Sequence, residues 1–216
     1  MDSMGTKADM KSTGFFLLRV FVIYIVLLLP WPGWSATYNA WFRSLGRVSA
    51  LGGTWVVRVE PVPAEEKSPL TTRFQVGNPQ MTDSQGNLMG KVLDLDSWGV
   101  GWVPTALVIS LIAATKLPMR RRFTALAWGL FLINLYVVFC LRVYLWDGTG
   151  DLFNTGPLVR SIFGALSYTL VTQMGTGFAV GILIWLAVTF RGHDVRLLTS
   201  TLAATSPPQK AKQREH

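Results

Sequence analysis

The feature that most constrains this chain is a short basic knot, Lys116-Leu117-Pro118-Met119-Arg120-Arg121-Arg122, set between two apolar stretches, residues 100–115 and 123–146. Apolar runs of that length fit a bilayer, and a short loop rich in Lys and Arg resists translocation, so the knot is expected on the cytoplasmic face. Half of the residues are hydrophobic, 15% are charged and nine are Trp, which is too little charge for a soluble domain of this size. The formal charge of +8 raises the question of a nucleic-acid partner. Under the topology that the knot implies, twelve basic and four acidic residues fall on the cytoplasmic side and eight of each on the other. The whole excess is then cytoplasmic. Membrane orientation accounts for it, and no nucleic acid is called for.

The expected fold is an all-α integral membrane protein: a four-helix transmembrane bundle with a small extracytoplasmic β-meander inserted between the first and second helices. In chain order it has a cytoplasmic N-terminus (1–13), a first span (14–33), an outer α+β domain (34–97), a second span (98–115) and the basic loop (116–122). A third span (123–146), an outer loop (147–165), a fourth span (166–190) and a basic cytoplasmic tail (191–216) follow. Helices are expected because an isolated apolar strand leaves its backbone unpaired in lipid. The implied location is the inner, or plasma, membrane, with multiple passes and both termini inside. A cleaved signal peptide is the competing reading of the first segment. Against it, Arg19 interrupts the apolar run and Trp34-Ser35-Ala36 puts a bulky ring where cleavage needs a small residue. Trp31, Trp34 and Trp41 fit an interfacial aromatic belt instead.

The segment between the first two spans has a different texture. Residues 36–51 space Trp41, Leu45 and Val48 at helical intervals, with Arg43 and Arg47 elsewhere around the turn, which predicts an amphipathic helix on the outer membrane surface. Residues 54–60, 70–76 and 88–95 read as strands separated by Pro61, Pro63, Gly77-Asn78-Pro79 and Ser84-Gln85-Gly86-Asn87. A three-stranded meander of this size buries little core by itself and is expected to lean on the helices or the bilayer.

Few residues carry chemistry. The single cysteine, Cys140, lies in an apolar helix and excludes an internal disulfide; His193 and His216 both fall in the tail, away from it. Asp94 and Asp96 alternate onto one strand face, but two carboxylates fall short of a divalent-cation shell, and Asp96 or Ser97 is placed to cap the following helix. Gly86 to Lys91 lacks the spacing of a phosphate loop. No cofactor and no metal site is expected. The intramembrane polar residues invite a sharper reading, since they are costly in lipid. Tyr24, Thr105 and Asn134 are expected at one depth as a hydrogen-bonded layer; Arg142, Gln173, Asp147 and Asp151 gather toward the outer edge, with snorkelling of Arg142 as the plainer alternative. Gly175, Gly177 and Gly181 include a GxxxG spacing, which suits either bundle packing or a membrane-protein partner.

The block formed by Trp98-Gly99, Pro104, Lys116 to Phe123, Gly129 and Asn134 resembles the corresponding block of exosortases and of the small membrane proteins associated with exosortase systems, over about a quarter of the chain. The departures from that pattern fall on the catalytic residues. Ser97-Trp98-Gly99 stands where an exosortase has its nucleophilic cysteine, Val137 stands where its arginine follows the asparagine, and no histidine opens the next span. The resemblance therefore implies a non-catalytic accessory or assembly protein of an envelope protein-sorting system, bound to the lipid bilayer and to a membrane-protein partner through the fourth span or the outer domain. A membrane enzyme using Arg142, Asp94, Asp96 and Ser97 at the outer face is the alternative, and a transporter subunit the third.

Overall fold

A computed structural model describes residues 4–29, 31–51, 56–63, 70–82, 88–150 and 156–190. Their elements, in order, are α1 (Met4–Leu28), α2 (Trp34–Ser49), β1 (Val56–Pro61), β2 (Thr72–Thr82), β3 (Leu88–Leu95), α3 (Val103–Ala114), α4 (Met119–Thr149), α5 (Pro157–Ser167) and α6 (Met174–Thr189). A π-helical turn, Trp98–Trp102, leads into α3, and a second, Tyr168–Thr172, extends α5. The strands form an antiparallel meander of order β1-β2-β3, with Phe74 opposite Val59 on one side and Leu93 on the other.

The expected four-span bundle is corrected by helix lengths. Among the described residues, one helix, Met119–Thr149, is long and apolar enough to cross a membrane. Its 31 residues rise about 46 Å, against about 30 Å of hydrocarbon. The apolar helices Thr13–Leu28 and Trp98–Ala114 are shorter, about 25 Å each at 1.5 Å per residue. The fourth expected span does not run straight: Pro157–Thr172 and Gly175–Thr189 meet at 76°. Gln173 is extended between them, with φ −85° and ψ 103°. Hydropathy alone does not reveal such a break, because a window average over the two apolar halves hides the single polar Gln173 between them. Membrane character survives the correction at a coarser level. Phe123, Trp128, Phe131, Leu135 and Phe139 of α4 are each more than half exposed. So are Phe15, Leu17, Leu18 and Phe21 of α1. Exposed apolar side chains in such number along α1 and α4 are compatible with association with a membrane.

Among the described residues, buried apolar side chains gather in two clusters. In the first, Val59, Phe74, Val76, Leu93 and Leu95 on the inner sheet face meet Tyr38, Phe42 and Leu45 of α2, Trp102 of the π-helical turn, Ala106 of α3, and Val137, Leu141 and Leu145 of α4. In the second, toward the basic end, Val108 and Ile112 of α3 pack with Ala125 and Ile133 of α4 and Ile184 of α6. Small residues set the close approaches. A Cβ on Gly46 would stand 2.8 Å from the Phe74 ring, and one on Gly129 2.7 Å from Ile112. The amphipathic helix α2 packs Tyr38, Phe42 and Leu45 against the sheet and α4 and leaves Trp41 and Val48 exposed.

The basic knot closes the opposite end. Arg121 Nη2 donates to the Thr189 carbonyl at 2.7 Å and Arg122 Nη2 to the Thr115 carbonyl at 3.3 Å. Each guanidinium therefore satisfies the carbonyls that the ends of α6 and α3 leave without helical partners.

Candidate functional site

A concave feature lies where the sheet, the entry to α3, α4 and the hinge before α6 converge. It is a cavity of about 300 Å³ whose polar contributors are Asp96, Thr172, Gln173 and the Tyr136 and Tyr144 phenols. Leu95, Val100, Val103, Pro104, Val171 and Phe178 supply most of the apolar wall. The tyrosines stand eight residues apart on α4 and tie it to its neighbours. Tyr144 donates to the Asp94 carbonyl at 3.0 Å, and Tyr136 to the Leu170 carbonyl at 3.5 Å. Of the residues singled out in the sequence, Asp96, Gln173 and Gly177 come together here. Tyr136 and Tyr144 were not among them, because a phenol in an apolar helix carries no sequence signal until its hydrogen-bond partner is known.

The two carboxylates have separate employments. Asp94 is opposite Arg73 across β2 and β3, and the pair is bidentate: Arg73 Nε to Oδ1 at 2.8 Å and Nη2 to Oδ2 at 2.7 Å. The Arg73 guanidinium holds the Asp94 carboxyl below its usual range, against the opposing effect of burial. Asp96 accepts from the backbone N–H groups of Trp98 at 3.0 Å and Gly99 at 2.9 Å, capping the turn that begins α3. Ser97 is fully buried. Its Oγ donates to Asn39 Oδ1 at 2.6 Å and lies 2.6 Å from Thr71 Oγ1, which also accepts the Ser97 N–H at 3.0 Å. This knot joins α2, the approach to β2 and the start of α3, three segments far apart in sequence.

Arg142 and Asn134 face α2. Arg142 Nη1 donates to the carbonyls of Ser49 at 2.7 Å and Leu51 at 2.9 Å, at the C-terminal end of α2. A guanidinium there meets both the orphan carbonyls and the negative end of the helix dipole. Eight residues earlier, Asn134 Oδ1 accepts from Trp41 Nε1 at 3.0 Å while its Nδ2 donates to Leu130 at 2.7 Å. Thr105 donates to the Gly101 carbonyl at 2.7 Å. It also lies beside the Tyr38 hydroxyl, whose acidity burial suppresses. Tyr24 packs edge-on against Phe178, centroids 6.4 Å apart. Tyr24, Thr105 and Asn134 therefore have different neighbourhoods. Asp147 faces Gly164 of α5. Asp151, His193 and His216 lie outside the described residues, as do Ser84 to Asn87 and most of the strand start at Thr54-Trp55.

Gly177 and Gly181 meet Pro104, Leu107 and Val108 of α3, so these two glycines serve packing within the chain; Gly175 has open space where its side chain would be. Cys140 is buried. No group of three or more His, Cys, Asp or Glu side chains able to hold a metal occurs among the described residues. Compared with family models, curated proteins and solved structures, the chain matches none.

Proposed function

We propose that this chain is a non-catalytic accessory or assembly protein of the inner membrane, acting within an exosortase-type envelope protein-sorting system. In this reading α4 crosses the bilayer, the knot at residues 116–122 lies in the cytoplasm, and the sheet with α2 is presented on the outer side, where it meets a membrane-protein partner. The observation that carries the non-catalytic part is how the polar candidates are used. Arg142 binds the end of α2, Asp94 binds Arg73, Asp96 caps a helix and Ser97 is enclosed by Asn39 and Thr71. A nucleophile or proton-transfer group must reach substrate, whereas these hold elements together. The link to sorting systems rests on the block from Trp98 to Asn134 described above.

The test is photocrosslinking in cells that carry a sorting transpeptidase, with the probe placed at Val92, 55% exposed on the edge strand β3. A covalent adduct with the transpeptidase or its substrate, and none from a probe at buried Val76, is the expected outcome. Adducts with lipid alone would set the partner reading aside. The cavity between Asp96, Gln173 and Tyr136 favours the second reading, a membrane enzyme with an outer-face polar site. Under the accessory reading, Gln173→Ala leaves sorting intact; abolished sorting with undiminished partner capture would select the enzyme.

A further inference from the structure

At the basic end of α4, charge and concave apolar surface occur in the order that a phospholipid presents its headgroup and chains. Arg121, Thr124, Ala125, Trp128 and Leu132 line a groove of about 310 Å³ completed by Ala187 and Val188 of α6. Their spacing of three, four, seven and eleven residues makes one stripe along α4. On the other flank of Trp128, Ala127 and Phe131 border a second, almost wholly apolar groove of about 280 Å³. The Trp128 indole, 57% exposed and edge-on to Phe131 at 5.8 Å, is the ridge between them. From Arg121 to Leu132 the helix rises about 16 Å, which matches one leaflet of a hydrocarbon core about 30 Å thick. Lys116 and Arg120, both exposed, are close to Arg121 in the chain at this end of α4.

We infer that this end of the protein holds one anionic diacyl phospholipid of the cytoplasmic leaflet, its phosphate at Arg120 and Arg121 and its two chains on either side of Trp128. The inference rests on the proposed crossing of α4. Three features select this occupant over a second protein helix. The positive charge is confined to one end of the grooves. The groove beside α6, from Arg121 to Leu132, runs the length of a single leaflet. A leaflet-long groove beside α6 and a shallower apolar patch at Ala127 and Phe131, with the Trp128 ring between them, give each of two acyl chains its own contact, where a docking helix needs one continuous trough. Basic pockets of this kind between membrane helices recognise anionic headgroups.

The full chain, reconstituted in vesicles, is titrated with phosphatidylglycerol or phosphatidylcholine brominated on the acyl chains, and the emission lost in wild type but not in Trp128→Phe is followed. Bromine quenches only at contact, so this difference isolates Trp128 from the other tryptophans. Half-quenching is expected at a mole fraction of phosphatidylglycerol about fivefold below that of phosphatidylcholine for each basic contact retained. Arg120→Gln alone is expected to lower the preference by about that factor, and Arg120→Gln with Arg121→Gln to remove most of it. Added inorganic phosphate should displace nothing, since a free anion gains none of the chain contacts. Equal quenching by both lipids, an unchanged preference in the Gln variants, or displacement by phosphate overturns the proposal. Recovery of the protein in the aqueous phase, with Trp128 unquenched by either lipid, overturns the membrane crossing itself.

Discussion

Arg142 acts on α2 as a capping group supplied from another helix. One guanidinium nitrogen serves the carbonyls of both Ser49 and Leu51. Replacing it by Leu leaves those carbonyls without the cation, at a cost of about 1–3 kcal/mol for hydrogen bonds to a charged group. Arg142→Leu is therefore expected to lower the Tm of the detergent-solubilised protein by several degrees, with Arg142→Lys intermediate because an ammonium reaches one carbonyl but lacks the planar fork. Equal melting of all three proteins would leave Arg142 as a simple interfacial anchor. Asp94 gives a pH-dependent counterpart. Its carboxyl is held below the usual range in the folded state by Arg73. The pair's stabilisation is thus complete above the ordinary carboxylate pKa of about 3.9 and fades as the pH falls below it toward the folded value. Asp94→Asn should accordingly melt below wild type at pH 7, with the gap closing below about pH 4. That Arg142 and Asn134 are engaged polar residues was legible from their cost in an apolar helix. Their partners were not, because Trp41 and Ser49 lie over ninety positions away in the chain.

The helices and strands are where local pattern served best. The meander was readable from its alternation, and β3 runs over the expected residues 88–95. The π-helical turn before α3 was not visible in the sequence. It exists where Gly101 lets the Tyr38 hydroxyl and the Phe42 ring lie directly on the backbone. Gly101→Ala forces that contact apart and is expected to cost about 1–3 kcal/mol as an overpacked site, whereas Gly175→Ala, with nothing within 4 Å, should be neutral or slightly stabilising. Thermal melts of the two variants side by side check this. Ser97→Ala tests the junction of three elements. It leaves the half-buried Asn39 and Thr71 groups short of a partner, an expected loss of about 1 kcal/mol. Little change would mean that the junction is held by apolar packing around Trp102.

At the scale of the whole molecule, the exposed apolar side chains on α1 and α4 are compatible with membrane association, and the proposed crossing of α4 makes that testable. The protein is expected to resist extraction by alkaline carbonate. Phe131→Lys, at an exposed position in the middle of α4, should reduce membrane-integrated protein strongly, since a charge near a helix centre costs about 2.5–3.5 kcal/mol on insertion scales. The same substitution at Leu158, 78% exposed on α5, should be mild. Composition, the basic knot and strand alternation by themselves determined the apolar helical class, the presence of a three-stranded meander and the end of α4 that carries the charge, because each depends on residues adjacent in sequence. Only the tertiary structure decided that, among the described residues, α4 alone is a single helix with the length and hydropathy to cross a membrane, that the apolar run after residue 156 bends at Gln173, and that α2 packs against the sheet and α4. Those outcomes depend on which distant groups satisfy a helix end or fill a gap. Hydropathy averages over just that information, since it records how apolar a segment is and not where its backbone turns or what it touches.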